Sequence, residues 1–306
     1  VVNSPTAIIS GMRADISSIE QNLALYEDAN FNSRNEAIDY IDFHIIDRVE
    51  ALQQQAESKE CKTIKQYANK VKGRLEKIDI HLFKFIRKNI RAGISTGTSF
   101  REIISKYLPV DPDYFGSGGE IGYDNLDIFI NGLLSPEAVP DATIARKPGM
   151  IFYQKTPARI IFQMAALAQL KKEDVFVDIG SGLGQVAMLV SLFSGATVKG
   201  IEYEPAYCAY ATTCASALDL RGIAFVNIEA RNGDYSTGTV FFMYTPFEGT
   251  MLQDILDILH RESLKRLIRI FTYGHCSVHV TTQSWLHCTN GPADNPYLLY
   301  EFSSYH

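Results

Sequence analysis

The run Val175-Phe176-Val177-Asp178-Ile179-Gly180-Ser181-Gly182-Leu183-Gly184-Gln185-Val186 constrains the fold more than any other stretch of this chain. It reads as an apolar strand that stops at a carboxylate, Asp178, and turns through three glycines into a helix over 185–194. Glycine permits positive φ and leaves no Cβ to block a ligand. A helix that opens on such a turn offers N–H groups to an anionic or polar ligand. An adenosine-type ligand is therefore expected across Gly180–Gly184.

The rest of the chain bounds what surrounds that turn. At 306 residues, two domains are expected. Apolar content of 46% and charged content of 21% are ordinary for a globular protein. No stretch of eighteen apolar residues suggests a membrane span. The start, Val1–Ser10, lacks the basic and apolar parts of a signal peptide, although the absent initiator Met suggests processing. The five cysteines are an odd number without a Cys-x-x-Cys pair, which fits free thiols in a reducing compartment and a cytoplasmic location. His275, Cys276, His279, His287 and Cys288 match no zinc spacing, and ordinary strand residues are the expectation rather than a metal site. The net charge of −6 argues against a general polyanion binder. Locally, however, Lys62–Arg91 carries ten basic residues and two acids, Glu76 and Asp79. A solvated helix face is the plainer account, a nucleic-acid surface the alternative.

Residues 1–108 read as an all-helical N-terminal domain. Apolar residues recur at helical spacing through Ile38, Ile41, Ile45, Val49 and Leu52, and again through Ile64, Tyr67, Val71, Leu75, Ile78 and Leu82. Residues 109–149 form a linker or lid region, marked by Pro109, Pro112, Gly116-Ser117-Gly118-Gly119, Pro136, Pro140 and Pro148-Gly149, with one short helix over 125–134. From residue 150 to 306, strands alternate with helices. Thr156-Pro157 is expected to cap a helix over 158–170. Strands follow at 175–179, 197–202, 223–228, 239–244 and 266–273, with helices at 185–194, 205–219 and 249–263. The runs 277–288 and 297–303 read as paired closing strands. Such alternation means α/β: a doubly wound, mostly parallel sheet with helices on both faces.

Two nucleotide folds compete for the turn. Gly182-Leu183-Gly184-Gln185-Val186-Ala187 satisfies the dinucleotide pattern G-x-G-x-x-A, and Glu202 lies twenty residues beyond Gly182. Against that reading, Asp178 sits two residues before the first glycine, where a dehydrogenase usually continues its apolar strand. The glycines form G-x-G-x-G, and no second mononucleotide half follows. Asp178-Ile179-Gly180-Ser181-Gly182-Leu183-Gly184 resembles motif I of the class I S-adenosylmethionine-dependent methyltransferases. The longer string Phe176–Val186 is similar to the non-SET histone-lysine methyltransferases of the disruptor of telomeric silencing family. The general resemblance covers roughly 150–306, and the special one 153–186.

The resemblance implies a Rossmann-like, seven-stranded class I methyltransferase sheet with S-adenosyl-L-methionine as cofactor. It places Asp178 against the ammonium of the cofactor, with Gly180, Ser181, Gly182 and Gly184 close by and Gln185 in contact. Glu202 would accept both ribose hydroxyls, and Tyr203 would flank the adenine. Either Glu229 or Asp234 would read the adenine: Asn232-Gly233-Asp234-Tyr235 resembles the special branch, while Glu229-Ala230 leaves more chain for the crossover. Tyr153 and Thr156 could bind the carboxylate, unless Thr156 is only a helix cap. The candidate catalytic residues are Tyr244, Thr245, Pro246 and Phe247, at the end of the fourth strand. Amine methyltransferases often carry Asn/Asp-Pro-Pro-aromatic there, and the histone enzymes adjacent asparagines. Catalysis is expected by proximity, with Tyr244 and the Thr245-Pro246 carbonyls shaping the acceptor slot. A protein substrate is the first reading, a nucleic-acid base or a non-catalytic binding role the alternatives.

Overall fold

The computed structural model describes residues 5–55, 58–108, 122–135 and 138–305. Pro109, Pro112, Gly116–Gly119 and Pro136, read above as loop signals, lie outside the described residues. Contacts divide the chain into two compact units, Val1–Ile86 with Ile103–Val110, and Arg87–Glu102 with Asp111–His306.

The first unit is helical. α1 (Pro5–Gln21) is followed by a continuous helix made of α2 (Phe31–Tyr40), a π-helical turn (Ile41–Ile46) and α3 (Asp47–Gln55). α4 (Lys59–Arg91) and α5 (Thr98–Tyr107) complete the helices up to residue 108. Ile41, Ile45 and Val49 meet Ile64, Val71 and Leu75, all singled out by helical spacing, in a core that also holds Met12 and Ile16. Arg34 is fully buried, and its Nε donates to Asp79 Oδ1 at 2.7 Å. Its Nη1 donates to the carbonyls of Leu25 and Glu27. A buried guanidinium is tolerated because its donors are met in this way.

In the second unit, helix α6 (Asn125–Leu134) carries a capping box between Asp124 and Asp127. Asp127 Oδ1 also accepts the N–H of Ala158 at 2.8 Å, at the start of α7 (Ala158–Ala168). This corrects the expected Thr156-Pro157 cap. Pro157 takes the cap position with no side-chain bond of its own, and a carboxylate distant in sequence supplies the acceptor. At the other end of α6, Arg87 donates to the carbonyls of Gly132 and Leu133.

β1 (Val175–Ile179), α8 (Gln185–Ser194), β2 (Thr197–Glu202), α9 (Pro205–Ala217), β3 (Ile223–Asn227), β4 (Val240–Tyr244), α10 (Gly249–Ser263) and β5 (Arg269–Tyr273) then alternate. The run 277–288 departs from the expected strand. Helix α11 (Cys276–Thr281) precedes a short β6 (Leu286–Cys288), which pairs antiparallel with β7 (Tyr300–Ser304). Cys276, Ser277 and Val280 are its buried residues, a helical rather than an alternating set. The metal-like group is thereby split between a helix and a strand, and among the described residues no His, Cys, Asp or Glu cluster could hold an ion.

The sheet has seven strands in the order β3-β2-β1-β4-β5-β7-β6. β1 to β5 run parallel, and β7 is antiparallel to both neighbours. Chain direction across the sheet reverses between β1 and β4, so a crevice opens there at the carboxyl ends of the strands. Val177, Phe241, Met243 and Ile270 form the core beneath it, against Leu252, Ile255 and Leu259 of α10.

Candidate active site

The crevice is a cavity of about 700 Å³ over the ends of β1, β2 and β4, within the range of cofactor-sized sites. The glycine turn forms its floor. The N–H groups of Gly180 and Ser181 both donate to Ile201 O at 2.9 Å, and that of Gly182 to Glu202 Oε2 at 2.7 Å. These donors therefore tie the turn to β2 and are not left to meet a ligand. A Cβ on Gly180 would lie 2.6 Å from Pro246 Cβ, and one on Gly182 2.2 Å from the Tyr153 ring, at φ of +83° and +51°. Only glycine lets both walls come this close.

Three polar side chains reach the cavity with an atom left over. Asp178 is 3% exposed, and its Oδ2 has no hydrogen-bond partner; neither does Ser181 Oγ or Gln185 Nε2. All three residues line the cavity. An unsatisfied buried polar group costs roughly 1–3 kcal/mol, so three in one cleft mark a place built for a polar ligand. Burial, with the nearby negative Glu202, pushes the Asp178 carboxyl up to about 8, against the opposing effect of the Ala187 N–H. Burial also raises the Glu202 carboxyl, although the N–H groups of Glu204 and Gly182 hold it down. Glu202 Oε1 accepts Glu204 N–H at 2.7 Å, and each of its oxygens keeps acceptor capacity.

Tyr153, Thr156, Gly180, Tyr203, Tyr244, Thr245, Pro246 and Phe247 also border the cavity. Gly184 lies one step back, as the N-terminal cap of α8, where a Cβ would strike Phe225 and Ala211. Glu229 and Asp234 are not brought in. Glu229 is buried but turned to Lys147 and Arg231, whose hydrogen bonds hold its carboxyl below the usual range. Asp234 is exposed beside Lys199. Ile228 and Ala230, not these acids, form that part of the wall.

One wall comes from the stretch read above as a linker or lid region. Ala142, Ile144, Ala145 and Arg146 cross the cavity as a strap. Thr143 Oγ1 donates to Glu204 Oε1 at 2.5 Å and Ile144 N–H to Oε2 at 3.0 Å, while Lys147 pairs with Glu229. Glu204 also caps α9 through Ala206 N–H at 3.0 Å. Burial works to raise its carboxyl, but these donors outweigh that and bring it to about 2.

The seven-stranded order with a single reversed strand, β7, and a ligand crevice at the β1/β4 switch define a class I methyltransferase fold. Residues 150–240 match the family model described as histone methylation protein DOT1. No curated protein matches the chain in sequence. Among solved structures, it is similar to an RNA methyltransferase from Salinibacter ruber in complex with S-adenosyl-L-homocysteine, at 20% identity over 49% of this chain and 92% of that one, TM-score 0.36. It is similar also to precorrin-6y C5,15-methyltransferase from Geobacter metallireducens GS-15, at 16% identity over 51% and 93%, TM-score 0.39. Human methyltransferase 10 domain containing protein is 14% identical over 50% and 84%, TM-score 0.37.

Proposed function

We propose that the protein transfers a methyl group from S-adenosyl-L-methionine to a protein substrate. The observation that carries the donor is the set of orphaned polar atoms on Asp178, Ser181 and Gln185 in one cofactor-sized cavity. A buried carboxylate oxygen without a partner suits a ligand ammonium, and the remaining lone pairs of Glu202 suit a diol. Tyr153 and Thr156 border the cavity where they could serve the carboxylate end, and Tyr203 where it could pack on the base. Bound there, the cofactor supplies an electrophilic methyl group on a sulfonium. The chain supplies alignment and exclusion of water, under the strap and against the Tyr244–Phe247 wall.

The protein acceptor is supported by the DOT1 match over 150–240, which ends four residues before Tyr244. The nucleic-acid reading loses part of its footing in the basic helix. Lys65, Lys72 and Arg74 are paired with Glu50, Asp42 and Glu20, and Arg87 and Arg91 with backbone carbonyls. Incubation of the full chain with tritium-labelled cofactor and fractionated lysate tests the acceptor. Label removed by protease is the expected result. Label removed by nuclease would move the substrate to nucleic acid, and intact cofactor binding without any product would leave a binding protein.

The strap should govern cofactor release. Thr143→Val with Lys147→Met removes two latches to carboxylates, so dissociation of S-adenosylhomocysteine should quicken about threefold or more. Stopped-flow displacement measures this. An unchanged rate would mean that the strap does not hold the ligand.

A further inference from the structure

A second cavity, of about 600 Å³, adjoins the first. The two share the wall made by Ile151, Phe152, Gln154, Tyr244, Thr245 and Phe247. The second alone reaches Tyr273, His275, His279 and Tyr297. Three properties of this chamber bear on what fills it.

The first is that the residues of the shared wall include no carboxylate to grip an ammonium. Thr245 Oγ1 donates to Tyr273 O and accepts Cys276 N–H, both at 3.3 Å. Pro246 O accepts Ile151 N–H at 3.1 Å. Thr245 is held at φ +39°, a conformation that a β-branched residue adopts only under constraint. Of the groups expected from sequence to shape the acceptor slot, the Pro246 carbonyl is thus already engaged in an internal bond, and the neighbouring Thr245 hydroxyl is too.

The second property is the surface left over, which is aromatic. The Tyr244 and Tyr273 rings lie 4.8 Å apart, centre to centre, tilted by 47°, and Phe152, Phe247 and Tyr297 add three more rings to the lining. Phe152 is 56% and Tyr297 49% exposed, so two rings of the lining present much of their surface to solvent. Such faces favour a partner that stacks.

The third property is charge. Among the described residues no Lys or Arg lines the chamber, so no permanently charged base there would receive the phosphates of a nucleotide or nucleic acid. Its one carboxylate, Glu248, is exposed, where attraction for a cation is weak. The imidazoles of His275 and His279 are the remaining ionisable side chains apart from tyrosines and the buried Cys276.

We propose that this second chamber is the acceptor site and that it takes an uncharged planar ring, presented by a side chain of a protein substrate. The inference rests on the methyl-donor reading of the first cavity for the word acceptor, and on the proposed protein substrate for the source of the ring. The ring preference itself rests on the chamber. The ring enters past Phe152 and Tyr297, stacks on Tyr244 and Tyr273, and meets the donor cavity across the shared wall.

The test measures binding rather than turnover. N-acetyl-histidine methylamide, N-acetyl-tyrosine methylamide and N-acetyl-lysine methylamide are titrated into the full chain by saturation-transfer NMR, with and without S-adenosylhomocysteine. The ring amides should bind about fivefold or more tightly than the lysine amide, the scale of one stacking contact. Tyr297→Ala should weaken the ring amides by a similar factor and leave S-adenosylhomocysteine affinity unchanged, since Tyr297 borders only the second chamber. Tighter binding of the lysine amide, or ring binding indifferent to Tyr297→Ala, would overturn the proposal. Free 4-methylimidazole and p-cresol should bind more weakly than the amides. Equal affinity would overturn the protein source in favour of a free small molecule. The titrations without S-adenosylhomocysteine decide the ring preference even if the donor reading fails.

Discussion

Replacing Asp178 with Asn should abolish measurable binding of S-adenosylmethionine and, at the same time, make the empty protein more stable. Both effects follow from one carboxyl group with a partnerless buried oxygen. In the unfolded chain an Asp ionises near pH 4, whereas in the folded protein burial delays ionisation to about 8. Between those values the folded state holds a proton that the unfolded state has released. The stability this group contributes is therefore complete below about pH 4 and is lost as pH rises through about 8. Asn cannot ionise, so the difference in thermal midpoint between Asp178→Asn and the unaltered protein should widen from pH 5 to pH 8.5. Ligand binding has the opposite sign. An ammonium needs the carboxylate, so affinity should rise with pH towards about 8 and binding below that pH should release a proton. Calorimetry in buffers of different ionisation enthalpy would detect the proton. Wild-type affinity in Asp178→Asn would remove this residue from the site.

Glu202→Ala should reduce cofactor affinity by about a hundredfold or more, the loss expected when two hydrogen bonds to a charged group disappear. It should also loosen the turn, because Glu202 accepts the N–H groups of Gly182 and Glu204 that shape it. Each orphaned donor costs roughly 1–3 kcal/mol if it stays buried, so a lower melting temperature should accompany the lost affinity. Glu202→Gln separates the two roles. Its amide oxygen can keep one backbone bond, so stability should recover further than affinity. Equal recovery of both would mean that Glu202 acts only as a scaffold for the turn.

What the sequence disclosed and what it hid divide along the range of the interactions. β1, α8, β2, α6 and α10 fall where apolar spacing and the glycine turn put them, because each is set by neighbours within a few residues. Asp178, Ser181 and Gln185 were legible for the same reason: the strand tip, turn and helix start that aim them are contiguous. The α11 segment was misread because Cys276, Val278 and Val280 alternate as in a strand, while its buried positions follow a helical period. Thr156 looked like a cap because nothing local reveals that Asp127 reaches Ala158 from thirty-one positions away. The strap falls in the segment read as a linker or lid, but the contacts that seat it, and the aromatic chamber beside it, were hidden. Thr143 meets Glu204 across sixty-one positions and Lys147 meets Glu229 across eighty-two. Glu229, one of two acids that spacing left open for the adenine, stands two residues past the end of β3, is paired with Lys147 and Arg231, and does not line the cavity.

The central claim is that the cavity above Gly180–Gly184 receives a cofactor bearing an ammonium beside a carboxylate. Isothermal titration of the full chain with S-adenosylhomocysteine at pH 8 tests it most directly, with the deaminated analogue as a second titrant. One site is expected for S-adenosylhomocysteine, with binding at least about tenfold weaker when the ammonium opposite Asp178 is missing. Equal affinity for the two ligands, or no heat from either with the protein folded, would contradict it.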